Sequence, residues 1–240
     1  MSAALAGQVA LVTGAGRGIG RAIALAFAAE GAAVALAART RQDLAAVAAE
    51  VRERGGRALA VPTDVTQDAA VEKLVEGIVA DFGRLDILVT AAGAASFGPV
   101  AGAKPADWDA MLAVNLRAVM VCCRAVLPIM IRQRRGTILN VASVAAQRAI
   151  PGGAAYAATK AGVVAWSRVL AEELRAERVR VGVLSPGAVD TPLWDAIPNG
   201  PDRARMLRPE DVARAAVLMA SLPPGASLEE LTPLPAGGIL

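Results

Sequence analysis

Residues 9–20 read VALVTGAGRGIG, and the fold follows from how that stretch is interpreted. Val9 to Thr13 is a short apolar run that ends in a turn rich in glycine, and Gly18 to Glu30 then has a helical pattern closed by Gly31. A short run with apolar residues at successive positions suits a strand covered on both faces. The same unit repeats outward along the chain. Strands are expected at Ala33 to Ala37, Ala58 to Val61, Ile87 to Ala91, Thr137 to Val141, Val179 to Leu184 and Leu231 to Leu234. Helices are expected at Arg41 to Arg54, Asp68 to Phe82, Asp107 to Arg134 with a bend at Pro128, Tyr156 to Glu177 and Glu210 to Leu222. In Asp68 to Phe82, for example, Val71, Leu74, Val75, Ile78 and Val79 fall on one side. Apolar strands separated by helices of ten or more residues predict an α/β fold, a doubly wound parallel sheet with right-handed crossovers.

The 240 residues suit a single domain, and no linker divides them. Apolar residues make up 55% of the chain, but no uninterrupted stretch nears the roughly 18 to 20 that a membrane span requires. Ala118 to Ile131 is broken by Arg124 and Pro128, and the N-terminus has no basic leader segment, so a soluble cytoplasmic protein without a membrane partner is expected. The net charge of +3 is spread along the chain and aromatics are only 3%, which argues against nucleic-acid binding. Cys122 and Cys123 are adjacent and read as small buried side chains, not as a bridge or a metal pair. The chain has no histidine, which excludes Ser-His-Asp and Cys-His catalysis and histidine metal sites, and no metal is expected.

The turn Thr13-Gly14-Ala15-Gly16-Arg17-Gly18-Ile19-Gly20 lies between a strand and a helix. Backbone N–H groups and the positive end of the helix dipole meet there, which suits a pyrophosphate, and glycines let the backbone approach it. An acidic residue about 20 residues on would accept from the ribose 2′-hydroxyl of NAD. Ala38 stands there instead, followed by Arg39. With Arg17 in the loop, two guanidiniums are placed for a 2′-phosphate, so NADP(H) is the expected cofactor.

The spacing of TGAGRGIG resembles the cofactor loop of the short-chain dehydrogenase/reductases, and the resemblance extends from about Gly7 to Leu234. It implies the single-domain Rossmann fold. Asp64-Val65 resembles the pair that contacts adenine in that family, and Ala92-Gly93 the end of its Asn-Asn-Ala-Gly motif, with Thr90 and Ala91 in place of the asparagines that brace the sheet. Pro186, Gly187 and Thr191 resemble the segment that closes over the nicotinamide. The tail departs from the common family pattern, with Leu228-Glu-Glu-Leu-Thr-Pro-Leu-Pro-Ala-Gly-Gly in its place.

Tyr156 and Lys160 stand one helical turn apart, on one face. A free tyrosine titrates near 10, and a neighbouring cation favours the phenolate, which would give a usable general acid and base. Ser143 lies just past a strand, where its hydroxyl would polarise a carbonyl. Ser143, Tyr156 and Lys160 match the family's catalytic triad, and Asn115 matches its fourth member, which implies a proton relay to the lysine through water.

The implied activity is reduction of a ketone or aldehyde to an alcohol, with 3-oxoacyl-thioester reductases as one version. An NADP-dependent alcohol or hydroxysteroid dehydrogenase working oxidatively is the alternative within the class, and a dinucleotide sensor without catalysis the alternative outside it. For the substrate, a short lid over about residues 190–208 is expected, with Trp194, Ile197 and Met206 as an apolar wall, and Ala145, Gln147 and Pro151 as further lining. By resemblance the long helix Asp107 to Arg134 and the helix of Tyr156 form the faces of a homodimer or homotetramer. Asp81-Phe82-Gly83 spells a kinase motif, but it ends a helix and stands alone.

Overall fold

A computed structural model describes residues 3–197 and 200–239; Pro198 and Asn199, within the expected lid, lie outside that description. Seven strands form one sheet: β1 (Val9–Thr13), β2 (Ala33–Ala38), β3 (Ala58–Pro62), β4 (Ile87–Thr90), β5 (Gly136–Val141), β6 (Val179–Leu184) and β7 (Glu230–Leu231). All six pairings are parallel, in the order β3-β2-β1-β4-β5-β6-β7. The helices are α1 (Gly18–Ala29), α2 (Arg41–Glu53), α3 (Asp68–Phe82), α4 (Pro105–Leu112), α5 (Ala118–Gln133), α6 (Ala154–Leu174) and α7 (Pro209–Ser221).

Alternation along each strand builds two cores. Leu11, Leu88 and Ile138 face α3, α5 and α6, and pack with Ile78, Val126 and Val163. Val12, Val89 and Leu139 face the other way, toward α1, α2 and α7, and pack with Ile23, Val47 and Val212. Leu11 and Val12 are both fully buried, so neighbouring residues each contribute about 2 kcal/mol of burial to opposite layers. Cys122 and Cys123 are both buried in the first of these cores, as free thiols.

Two polar devices hold the edge of the sheet where the strands begin. Asp86, almost fully buried, accepts from the Val9 amide at 2.9 Å and from Nε and Nη2 of Arg84 at 2.7 and 2.6 Å. Arg180, half-buried at the start of β6, donates to the carbonyls of Ala220, Leu222 and Ala226 at 3.1, 2.9 and 3.0 Å and to Thr137 Oγ1 at 2.9 Å. It thereby ties the C-terminal end of α7, where a cation is favoured, to β5.

The long helical stretch differs from expectation. It is interrupted by a π-turn at Ala113–Arg117, between α4 and α5, while Pro128 is carried inside α5. The run Pro105–Gln133 is, by length and a mean hydropathy of 1.8, apolar enough to cross a membrane. Here it is a core element: Ala118, Val119, Cys122, Cys123, Val126 and Met130 are buried in the first core. The last strand is shorter than expected and begins one residue earlier, at Glu230–Leu231. Asp81-Phe82-Gly83 does end a helix, with Gly83 left-handed at φ 75° as its cap.

Candidate active site

The order of the sheet places the site. From β1 the chain winds outward through β2 and β3, then returns to β4 on the other side of β1, so the loops after β1 and β4 part and leave a crevice at the strands' C-terminal ends. A cleft of about 830 Å³ opens there.

One half of the cleft is lined by Gly14, Gly16, Arg17, Gly18, Ile19 and Gly20. The loop leaves no room for side chains: a Cβ on Gly14, whose φ is +66°, would sit 2.8 Å from the backbone of Ala91 and Ala92. Gly18 (φ +55°) faces the Thr191 methyl, where a Cβ would lie 3.2 Å away. No side chain caps the N-terminus of α1 and no acid stands in its first turn, so its leading N–H groups remain available to an anion. Arg17 and Arg39 line this half, together with Asp64 and Val65, and so does Asp43. The Asp64 carboxyl is held below the usual carboxylate range by the Thr66 amide at 3.0 Å, then by the Thr66 hydroxyl at 2.7 Å, with the Arg39 charge adding to both. A cradle that side chains would fill and free amides fit the pyrophosphate of a dinucleotide, with two guanidiniums beside it.

Thr13 is the exception among the expected cofactor contacts. It is buried beneath the loop, and its hydroxyl accepts from the Ala91 and Ala92 amides at 3.1 and 3.3 Å. It shapes the crevice from below. Ala92, Gly93, Pro186, Gly187 and Thr191 all line the cleft as expected. The asparagines missing at Thr90 and Ala91 are offset by a different network. Thr90 Oγ1 donates to Asn140 Oδ1 at 2.8 Å, and Asn140 Nδ2 donates to Ser167 Oγ at 2.9 Å. This chain links β4, β5 and α6, and all three side chains are buried.

Ser143, Tyr156 and Lys160 converge on the floor of the cleft. Ser143 follows the end of β5, and its Oγ is oriented by the Ala145 amide, which donates to it at 3.1 Å. Tyr156 occupies the first turn of α6 and Lys160 the second. Lys160 Nζ lies 5.8 Å from the centroid of the Tyr156 ring and donates to the Val141 carbonyl at 2.9 Å. The expected lowering of the phenol by this cation is not what prevails. Burial pushes Tyr156 up, and the hydrogen bond with Ser143 works against it. Lys160 is itself so buried that its ammonium falls from the ordinary 10.5 to about 8.

Asn115 does not line the cleft. It is fully buried in the π-turn, where Oδ1 accepts from the Ala94 amide at 2.9 Å and Nδ2 donates to the Ala94 carbonyl at 2.8 Å and to Thr159 Oγ1 at 3.2 Å. The amide thus clamps the loop after β4 onto α6. A Cβ on Gly93 would meet Asn115 Oδ1 at 3.3 Å and Lys160 Nζ at 3.8 Å, so Gly93 is what keeps the space between them open.

At the other half, Pro151 and Trp194 line the cleft as expected, and so does Ile197. Ala145 and Gln147 do not. Ala145 is buried behind Ser143, where its amide holds the serine hydroxyl, and Gln147 points to solvent past the turn. Met206 is also buried away from the cleft. Phe97 was not legible as a site residue. It lies between Tyr156 and Trp194, with ring centroids 5.8 and 6.1 Å away. A lone phenylalanine among small residues has no periodicity to single it out. The lid is fastened by Trp194 Nε1 donating to the Val189 carbonyl at 2.9 Å and by ion pairs from Arg203 to Asp190 and Asp195.

Comparison with known proteins agrees with this geometry. The family model described as short chain dehydrogenase matches residues 8–202. The 3-oxoacyl-acyl-carrier-protein reductase of Thermotoga maritima is 36% identical over 225 residues, covering 90% of this chain and 92% of that protein. A metagenomic short-chain oxidoreductase solved with NADP superimposes with a TM-score of 0.86 at 38% identity, covering 97% and 99% of the two chains. A 7α-hydroxysteroid dehydrogenase solved with NADH and 7-oxo glycochenodeoxycholic acid gives 0.90 at 30% identity, covering 98% and 95%. A nicotinamide dinucleotide is therefore the cofactor type, and the chain is an oxidoreductase of the short-chain dehydrogenase/reductase family.

Proposed function

We propose that this chain is an NADP(H)-dependent carbonyl reductase that uses Ser143, Tyr156 and Lys160 for proton transfer. The observation that carries the reading is the convergence of these three side chains at the inner end of the glycine-lined cleft. Gly14, Gly16, Gly18 and the first amides of α1 would hold the pyrophosphate, Arg17 and Arg39 the 2′-phosphate, and Asp64 with Val65 the adenine side. Ala92, Gly93, Pro186, Gly187 and Thr191 would flank the nicotinamide. When bound, the cofactor supplies the two-electron reduction that no side chain here can perform.

The protein contributes protons and position. The Ser143 hydroxyl, held by the Ala145 amide, donates to the substrate oxygen as charge develops on it. The Tyr156 phenol, kept protonated by its burial, gives its proton to that oxygen. Lys160 stands one turn behind to restore the phenol's proton, and it carries a proton to pass on below about pH 8. Asn115 acts as a positioning residue, fixing the loop that carries Gly93 against the helix that carries Lys160. Support for the reductive direction comes from the Thermotoga relative, and for NADP from the metagenomic neighbour, although the steroid dehydrogenase was solved with NADH. We further propose a homodimer through α5 and α6, since Ile131 and Val169 present exposed apolar surface there.

The test is NADPH oxidation followed with a panel of ketones and aldehydes, in wild type and Tyr156→Phe. Turnover by the wild type, lost in the variant while NADPH still binds, is the expected result. Substantial turnover by the variant would remove Tyr156 from the acid role. NADPH binding without turnover of any carbonyl would leave a sensor.

A further inference from the structure

The sequence holds only three phenylalanines, three tryptophans and one tyrosine, yet Phe97, Tyr156 and Trp194 meet at one place. Phe97 and Trp194 lie nearly parallel, with 18° between their planes, and Phe97 is tilted by 43° to the Tyr156 ring. The two stacked rings make an apolar wall of the cleft beside the phenol that would deliver the proton.

The wall is rigid and has no hydrogen bond to offer. The Gly98 amide donates to the Gly152 carbonyl at 2.9 Å, joining the loop after β4 to the loop before α6. A Cβ on Gly153 would lie 3.1 Å from the Phe97 ring, so the phenylalanine is seated against bare backbone. Trp194 lines the cleft with its one side-chain donor engaged by the Val189 carbonyl. Ile150, Leu193, Ile197 and Ile239 add further apolar lining to the cleft. Among the described residues, the charged side chains of the cleft other than Lys160 are Arg17, Arg39, Asp43 and Asp64, all at the cofactor half.

We infer that the substrate is an uncharged ketone whose carbonyl is part of, or attached to, an aromatic or alicyclic ring system. The ring would lie on the Phe97–Trp194 wall while the carbonyl oxygen meets Ser143 and Tyr156. Two flat rings fixed before binding reward a flat apolar partner with dispersion and desolvation at little entropic cost. A polyol-derived ketone would bring hydroxyls against a surface that cannot bond them, and burying such groups unpaired is penalised. This inference rests on the carbonyl-reductase reading for its chemistry, but its binding step does not depend on turnover.

The experiment compares α-tetralone, 2-butanone and erythrulose as substrates with NADPH, in wild type, Phe97→Leu and Trp194→Leu. Calorimetric titration of α-tetralone into the enzyme saturated with NADP⁺ measures binding separately. Leucine keeps the apolar character and removes the flat face. The expected result is a kcat/KM for α-tetralone at least about tenfold above that for erythrulose, and a preference for α-tetralone over 2-butanone lowered about fivefold in each variant, with NADPH affinity unchanged. Binding of α-tetralone without turnover would uphold the ring site and sink the reductase reading. Equal efficiency toward all three ketones, or equal losses for all three in the variants, would overturn the ring site and leave the reductase intact. Failure of α-tetralone to bind the NADP⁺ complex would also overturn it.

Discussion

Replacing Lys160 by methionine is expected to make the protein more stable while destroying its activity. The lysine is almost completely buried, and that burial takes its ammonium from 10.5 to about 8. At about 1.4 kcal/mol per pH unit, this gap means that keeping the charge inside costs about 3 kcal/mol near pH 7. The sign follows from proton counting. Between about pH 8 and 10.5 the unfolded chain binds the proton more tightly than the folded one, so the wild type gains stability as pH rises through that window. Below about 8 the full penalty is present, and above 10.5 it is gone. Methionine fills a similar volume with no charge and gives up only the bond to the Val141 carbonyl, worth about 1 to 2 kcal/mol. Urea unfolding of both proteins, near pH 7 and again near pH 10, isolates the group, because all other titrations cancel. The variant's advantage over the wild type should shrink by about 2 to 3 kcal/mol between the two conditions. An advantage that does not change with pH would refute the assignment of the cost to the buried charge.

The same lysine should set the alkaline limb of catalysis: kcat/KM for carbonyl reduction is expected to fall as pH rises through about 8, and a flat profile across that range would contradict the relay. Arg39→Asp should raise the KM for NADPH by about tenfold or more and improve NADH use, because a carboxylate replaces an exposed guanidinium at the cofactor half; unchanged NADPH affinity would refute the role. Arg180→Met strands the carbonyls of Ala220, Leu222 and Ala226 and should lower stability by about 2 to 4 kcal/mol, seen as a fall in Tm of about 5 to 10 °C. Since Arg180 sits at the edge where the strands begin, away from the cleft, kinetic constants below that Tm should be unaffected.

Much of the fold was legible because burial on both faces imposes a simple pattern. Short apolar runs bounded by turn residues, such as Val9–Thr13 and Ile87–Thr90, suit interior strands, and α3 was located residue for residue from its apolar stripe. The π-turn was not legible. One additional residue per turn leaves Val114 and Leu116 looking like any other helical positions, and Pro128, the visible suspect, is accommodated within α5. In the site, residues that act through backbone shape or charge were found from local sequence, as with Gly14 and Arg39. Those that depend on which loops meet were not. Phe97 reaches the cleft because Gly98 pairs with Gly152, distant in sequence, and Gln147 misses it because the turn after Ser143 carries it outward. Thr13 and Asn115 are near the site as expected, but they serve it through the loops they hold.

The cleft is charged at one end and oily at the other, and salt should therefore act on its two ligands in opposite ways. Added electrolyte screens the exposed Arg17 and Arg39, loosening their hold on a phosphate. A strongly hydrated salt such as sulfate strengthens the burial of apolar surface, tightening contact with Phe97 and Trp194. Across a sulfate titration the apparent affinity for the cofactor declines while that for the substrate improves. The two halves of one crevice thus respond to opposite properties of the solvent.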